Sequence, residues 1–248
     1  MNKATHERGG FTSVILLYPL ILVQVQKMYF GTLLYKVIFL ILCLVVMLSG
    51  SRYGTQYPDY DHQNNRSIPV RNGFTLALNR VLKALGATHR SWHTHALDFN
   101  MILFGIPTYI VYNIASTEHG SEYYVWFMFY VLLISFTAAV GMHIILDLFT
   151  AGGGYVSIIL AVILCHLIGK VDKNTKISQF KVVLAPKWLR YPTFGVDSNG
   201  KRRFMMKEVY DKYTTSSTYE KDFRNMLKIL NYIAFATTII LLIKYMIY

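Results

Sequence analysis

Six apolar runs dominate the chain, at residues 11–25, 28–48, 99–115, 124–149, 155–168 and 229–248. In hydrocarbon every backbone N–H and C=O must be satisfied within the segment. A helix of about 20 apolar residues crosses a core of about 30 Å. The first two runs are separated only by Gln26 and Lys27 and read as two spans in a tight hairpin in preference to one long broken helix. Pro107 is expected to kink the third. The run 155–168 makes only about 21 Å of helix, so a re-entrant or buried helix is expected there rather than a crossing. The expected fold class is therefore all-α, a polytopic membrane helical bundle of about five or six hydrophobic helices with a basic extramembrane segment. A hydrophobic content of 54% fits that class and not an ordinary soluble domain. The expected organisation is a membrane-embedded core at 1–168, a basic interfacial segment at 169–228 and a C-terminal transmembrane helix at 229–248.

The N-terminus places charges ahead of an apolar core, as a leader does. No small-x-small cleavage site follows, so a retained anchor is expected. Cys43 and Cys165 both lie in apolar runs and offer neither a disulfide framework nor a thiolate metal motif.

The formal charge of +12 matters through its placement. Lys3 and Arg8 precede the first run, and Arg52, Arg66, Arg71, Arg80, Lys83 and Arg90 lie in the polar stretch 51–98. The connection from Glu118 to Glu122 carries no Lys or Arg. Positive residues mark cytoplasmic loops, so the N-terminus, the stretch 51–98 and the end of the fourth run are expected to share a cytoplasmic face. The segment 169–228 holds 14 Lys and Arg. A non-crossing 155–168 keeps it on that face, where each basic residue attracts anionic lipid by about 1 kcal/mol. No nucleic-acid-binding module is recognisable in it, so lipid and not nucleic acid is the expected partner. Within the polar stretches, 51–98 opens as a loop rich in turn residues, followed by a short amphipathic helix at 75–85. The sequence YPTFGVDSNGKRRF reads as a turn or hairpin, with Asp197–Gly200 supplying the turn.

Four small constellations carry metal-capable side chains. Thr5-His6 precedes the first run. Pro58-Asp59-Tyr60-Asp61-His62 puts two carboxylates and an imidazole within four residues. His89-Arg90-Ser91-Trp92-His93-Thr94-His95 holds three of the eight histidines. On a helix His89 and His93 share a face; in an extended chain His93 and His95 do. Gly141-Met-His143-Ile-Ile-Leu-Asp147-Leu-Phe-Thr150 sets His143 and Asp147 one turn apart near the end of an apolar helix. Ionisable groups in a span are costly and carry partners. An imidazole and a carboxylate at i, i+4 suit zinc or another divalent ion. The competing reading of each constellation is a hydrated loop or a simple His–Asp hydrogen bond.

In this order the four elements resemble the LexA-regulated, membrane-bound metal-dependent hydrolases of bacteria and prophages, the YdjM-like family. The resemblance covers about residues 5–154. Ser91 stands where the family more often has Gly, and His93 is inserted ahead of His95, leaving either as the ligand, with the Thr94-His95 pair favouring His95. The family's aromatic Pro segment has its nearest counterpart downstream, at Tyr191-Pro192-Thr-Phe194. The resemblance implies a metal set drawn from His6, Asp59, His62, His89, His95, His143 and Asp147, with Asp61 and Arg90 as catalytic groups. It implies one to three divalent ions, zinc first, and location in a bacterial inner membrane with the site facing the cytoplasm. Through the more distant likeness to zinc-dependent phospholipase C and nuclease enzymes it implies hydrolysis of phosphoesters, including phospholipid, by a metal-activated water. Arg90 would bind a phosphate oxygen through its planar fork, or would snorkel to lipid phosphate. Two rival readings are a divalent-metal transporter, which needs ligands near mid-membrane, and a non-catalytic membrane protein with a vestigial site.

Overall fold

A computed structural model of the chain describes residues 3–61, 72–87, 92–148, 190–196, 202–208 and 217–247. Its elements are α1 (Lys3–Gln26), α2 (Leu33–Gln56), a 3-10 turn (Tyr57–Asp61), α3 (Gly73–Ala84), α4 (Trp92–His95), α5 (Leu97–Thr117), α6 (Gly120–Leu148), β1 (Arg190–Val196), β2 (Arg202–Glu208) and α7 (Ser217–Ile247). Five of these helices are long and apolar enough to cross a membrane: Thr5–Gln26, Leu33–Asp61, Leu97–Thr117, Gly120–Asp147 and Arg224–Lys244. The architecture is thus a polytopic helical membrane bundle. The run 155–168 lies outside the described residues.

The chain divides into two compact units, one of residues 2–55, 103–142 and 221–248, the other of residue 1 with 56–102 and 143–220. The first is the bundle. There α1 and α2 form an antiparallel hairpin. A side chain on Gly10 would strike the Thr55 and Ser51 hydroxyls. Further along, the Tyr18 hydroxyl donates to the Leu40 carbonyl at 3.3 Å, and Lys36 Nζ donates to Gln26 Oε1 at 2.6 Å. α5 and α6 pair antiparallel through Phe104 with Phe136 (4.9 Å between ring centroids), the Thr108 and Thr137 hydroxyls (3.2 Å) and Tyr112 with Tyr130 (5.2 Å).

α2 and α6 run parallel and very close. A Cβ on Gly54 would collide with the Phe136 backbone carbonyl, and one on Gly50 with Leu132 and Ser135. Lipid gives helices no hydrophobic reason to associate, so close backbone approach through small residues carries the packing. The core of this unit includes Leu22, Val25, Cys43, Met47 and Val131, all fully buried. Outward-facing positions remain apolar, as on α5 (Ile102, Ile106, Tyr109) and α7 (Ile229, Ile233, Ile240). A surface of that kind is stable against acyl chains, not water.

The helices outrun the apolar runs that announce them. α1 begins at Lys3 and α2 continues through Ser49 to Gln56. Ser51, Gly54 and Thr55, expected to open a loop, are helical and buried. Hydrocarbon sets the length of an apolar run, whereas the i→i−4 ladder continues wherever neighbours accept small polar side chains. α5 likewise continues through Pro107.

In the second unit α3 and α4 pack on the 3-10 turn. α3 starts on a capping box, with Asn72 Oδ1 accepting from the Thr75 N–H at 2.9 Å and Thr75 Oγ1 accepting from the Asn72 N–H at 3.1 Å. It ends at Ala84 with Leu85 as its C-cap, and Gly86 follows with a φ of +79°. Its amphipathicity is inverted: Thr75, Asn79 and Leu82 are buried, while Phe74, Val81 and Leu85 are exposed. β1 and β2 pair antiparallel, with Arg190 opposite Glu208 and Phe194 opposite Phe204. The hairpin expected from the turn residues is present in its strands; residues 197–201 lie outside the described set.

Candidate metal centre

Three short segments of the second unit meet at a buried cluster of imidazoles and carboxylates. The last turns of α6 carry His143 and Asp147, whose i, i+4 spacing brings His143 Nε2 to 3.3 Å from Asp147 Oδ2. α4 carries His95, whose Nε2 also lies 3.3 Å from Asp147 Oδ2. The 3-10 turn carries Asp59, with Oδ1 at 3.9 Å from His143 Nε2. One ligand atom from each of Asp59, His95 and His143 falls within 4.8 Å of the others. The two rings stand edge to face, 5.8 Å between centroids, so both Nε2 atoms converge on one carboxylate.

The turn is placed by α3. Buried Asn79 donates from Nδ2 to the Tyr60 carbonyl at 2.5 Å, fixing the backbone between Asp59 and Asp61. Pro58, Tyr60 and Asp61 are buried in the same turn. Asp61 stands behind His95, on its Nδ1 side, at 3.5 Å. Thr94 Oγ1 donates to Asp61 Oδ2 at 2.5 Å and lies 3.0 Å from His95 Nδ1. A carboxylate on the far nitrogen of a histidine fixes its tautomer and ring orientation and raises its basicity as a ligand. α4 is a single turn, and it joins α5 through Asn100, whose Nδ2 donates to the Ala96 carbonyl at 2.8 Å. Asp98 accepts from the Phe99 N–H at 2.8 Å in the first turn of α5, where a negative charge also suits the helix dipole.

Burial and charge act together on His95. Its side chain is fully buried, which by itself pushes the imidazole toward its neutral form; hydrogen bonding and charge from Asp147 and Asp61 outweigh this and raise its pKa to about 9. His93, two residues earlier on α4, moves the other way. Burial lowers its pKa, and the charge of Asp61 opposes that only in part. Of the two histidines that the sequence left open, His95 is the one with Asp61 at 3.5 Å on one ring nitrogen and Asp147 at 3.3 Å on the other.

The donor set fits a divalent ion. Imidazole nitrogens with carboxylate oxygens are the ligands of zinc and its neighbours. Asp147 beside both imidazole Nε2 atoms, with Asp59 beside His143, leaves excess negative charge that a divalent cation would neutralise. His95, His143, Asp61 and Asp147 are buried, whereas the Asp59 side chain is 28% exposed.

Of the residues expected at the site, Asp59, Asp61, His95, His143 and Asp147 are brought together. His62, His89 and Arg90 lie outside the described residues. His6 is buried on α1, in the bundle unit. Sequence reasoning passed over Asn79 as a structural support and Thr94 as more than a motif letter. The signal for Asn79 was a polar stripe, Thr75 and Asn79 at i, i+4, on a helix whose other positions are largely apolar. Set against family models, curated proteins and solved structures, the chain matches none of them.

Proposed function

We propose that the chain is a membrane-bound, metal-dependent hydrolase of phosphoesters. The observation that carries this reading is the convergence of His95 Nε2 and His143 Nε2 on Asp147, with Asp59 beside them at a partly exposed edge. His95, His143, Asp147 and Asp59 would hold the ion, zinc by its preference for this donor set. When bound, such an ion supplies Lewis acidity and a nucleophile at neutral pH. Asp61 and Thr94 act through His95: they hold its ring so that Nε2 faces the other ligands. In this reading Asp61 is a positioning residue, not one of the catalytic groups implied by the family resemblance. Arg90, by that resemblance, binds a phosphate oxygen of the substrate.

The five apolar helices support a membrane setting, and the placement of Lys and Arg along the sequence supports a cytoplasmic face for the cluster in a bacterial inner membrane. A site there meets phosphoesters of the headgroup region as readily as soluble ones.

The test is elemental analysis of the purified full chain beside a phosphodiesterase assay. Wild type should carry zinc at or above one ion per chain and hydrolyse an aryl phosphodiester or a phospholipid. His143→Ala and Asp147→Ala should lose both the ion and at least about a hundredfold of the rate, while inserting normally. Wild-type turnover in either variant rejects the reading. Zinc flux in proteoliposomes without hydrolysis would replace it by transport.

A further inference from the structure

A second candidate site lies on the bundle unit and uses none of the residues of the metal cluster. Between α1 and α7 a cavity of about 560 Å³ is lined by Arg8, Lys228 and Asn231 at polar points and by Phe11, Tyr232 and Phe235 along its apolar length. Phe11, Tyr232 and Phe235 are all exposed, so the cavity is a groove open to the outside of the bundle. Arg8 lies near the start of the span Thr5–Gln26, and Lys228 near the start of the span Arg224–Lys244. Both cations therefore sit at the depth where a span enters the headgroup layer. No acidic residue lines the groove among the described residues. Asn231 has its side-chain oxygen buried without a hydrogen-bond partner among the described residues. That carboxamide can accept from a headgroup hydroxyl or, turned over, donate to a phosphate oxygen.

Two cations at headgroup depth, a carboxamide in want of a partner and an apolar trough running into the bilayer describe an anionic amphiphile. We propose that this groove binds an anionic phospholipid, its phosphate between Arg8 and Lys228 and one acyl chain along Phe11, Tyr232 and Phe235. Basic pockets between spans select headgroups by charge, and a bulky aromatic wall fixes a chain that would otherwise exchange freely. The occupant comes from the bilayer because the groove opens where the helices are apolar: only 17% of the α7 window is buried. The site is independent of the metal reading and survives its failure.

Native mass spectrometry of the detergent-purified full chain tests it, with phosphatidylglycerol, phosphatidylcholine and soluble glycerol phosphate as probes. Wild type should retain phosphatidylglycerol at least about tenfold more strongly than phosphatidylcholine. Each basic residue near the surface is worth about a fivefold factor, so Arg8→Gln with Lys228→Gln should remove most of that preference, and Arg8→Lys with Lys228→Arg should keep it. Lys228→Glu alone, at an exposed position, should lower phosphatidylglycerol retention below the phosphatidylcholine level without disturbing the fold. Equal retention of the two lipids by wild type overturns the proposal. So does undiminished preference in the Gln double variant or in Lys228→Glu, displacement by glycerol phosphate at equal concentration, or a stable dimer that excludes lipid.

Discussion

Asp61 shows how much one side chain decides at this site. It is buried, 3.5 Å from His95 Nδ1, and accepts the Thr94 hydroxyl. Its replacement by Asn keeps the shape and removes the charge. Zinc affinity of Asp61→Asn, read by competition with a chelator, should fall about ten- to hundredfold, with the ion's stoichiometry unchanged at saturating metal. In chelator-treated protein His95 is held protonated by the same carboxylates. Its folded-state pKa of about 9 lies above the ordinary 6.5, so protonation favours the folded chain. That contribution is complete below the ordinary value and drains away as pH rises through the folded one. Melting of the metal-free protein should therefore drop between about pH 7 and 9.5, and the drop should vanish in His95→Gln. At this scale the sequence was legible where the spacing is local: His143 and Asp147 had to share a face. The choice between His93 and His95 was not, because α4 is one turn long and neither helical nor extended periodicity governs it. The pairing of Thr94 with Asp61 crosses 33 residues of chain, and no local pattern encodes it.

The elements were legible in kind more than in extent. Apolar runs located all five long helices, because nothing else is stable in hydrocarbon. Their ends were hidden, since Ser, Gly and Thr in α2 look like loop residues until a neighbouring backbone lies against them. Gly50 and Gly54, a small residue on each of two successive turns, were the available sign of close helix packing. A side chain at 54 meets the Phe136 backbone, which cannot swing aside. Gly54→Val should lower thermal stability in detergent by about 1–3 kcal/mol or more, measured as a loss of melting temperature; Gly31→Val, at a position with nothing near it, should not. α3 makes the complementary case. Asn79→Ala leaves the buried Tyr60 carbonyl without its donor, at about 1–3 kcal/mol. It should weaken zinc retention as well, because the turn it holds carries Asp59 and Asp61.

For the whole molecule the hairpin order of the spans makes a topological prediction. The connections at Gly31 and His119 belong to one end of the bundle, where Tyr29 and Phe30 meet Tyr124. Lys27 and Lys36 flank the first of these connections and no Lys or Arg lies in 118–122, whereas Lys3 and Arg8 precede the first span and six Lys and Arg lie in 51–98. In a background lacking Cys43 and Cys165, cysteines at Gly31 and His119 should react with an impermeant maleimide from the periplasmic side in intact cells. A cysteine at Ala84 should react only after lysis. Reaction of Ala84→Cys in intact cells would reverse the orientation and with it the side of the membrane served by the cluster.

The cluster draws on residues 59–61, 94–95 and 143–147, and that spread has a consequence for biogenesis. A ribosome must have released Asp147 before all the ligands exist together, by which time four of the hydrophobic segments have already been handed to the insertion machinery. A nascent polypeptide stalled short of that point has nothing with which to hold an ion, however well its early helices are threaded. If the cluster holds zinc as proposed, loading is a maturation event, and a cell starved of zinc should accumulate inserted, empty chains instead of failing to make them.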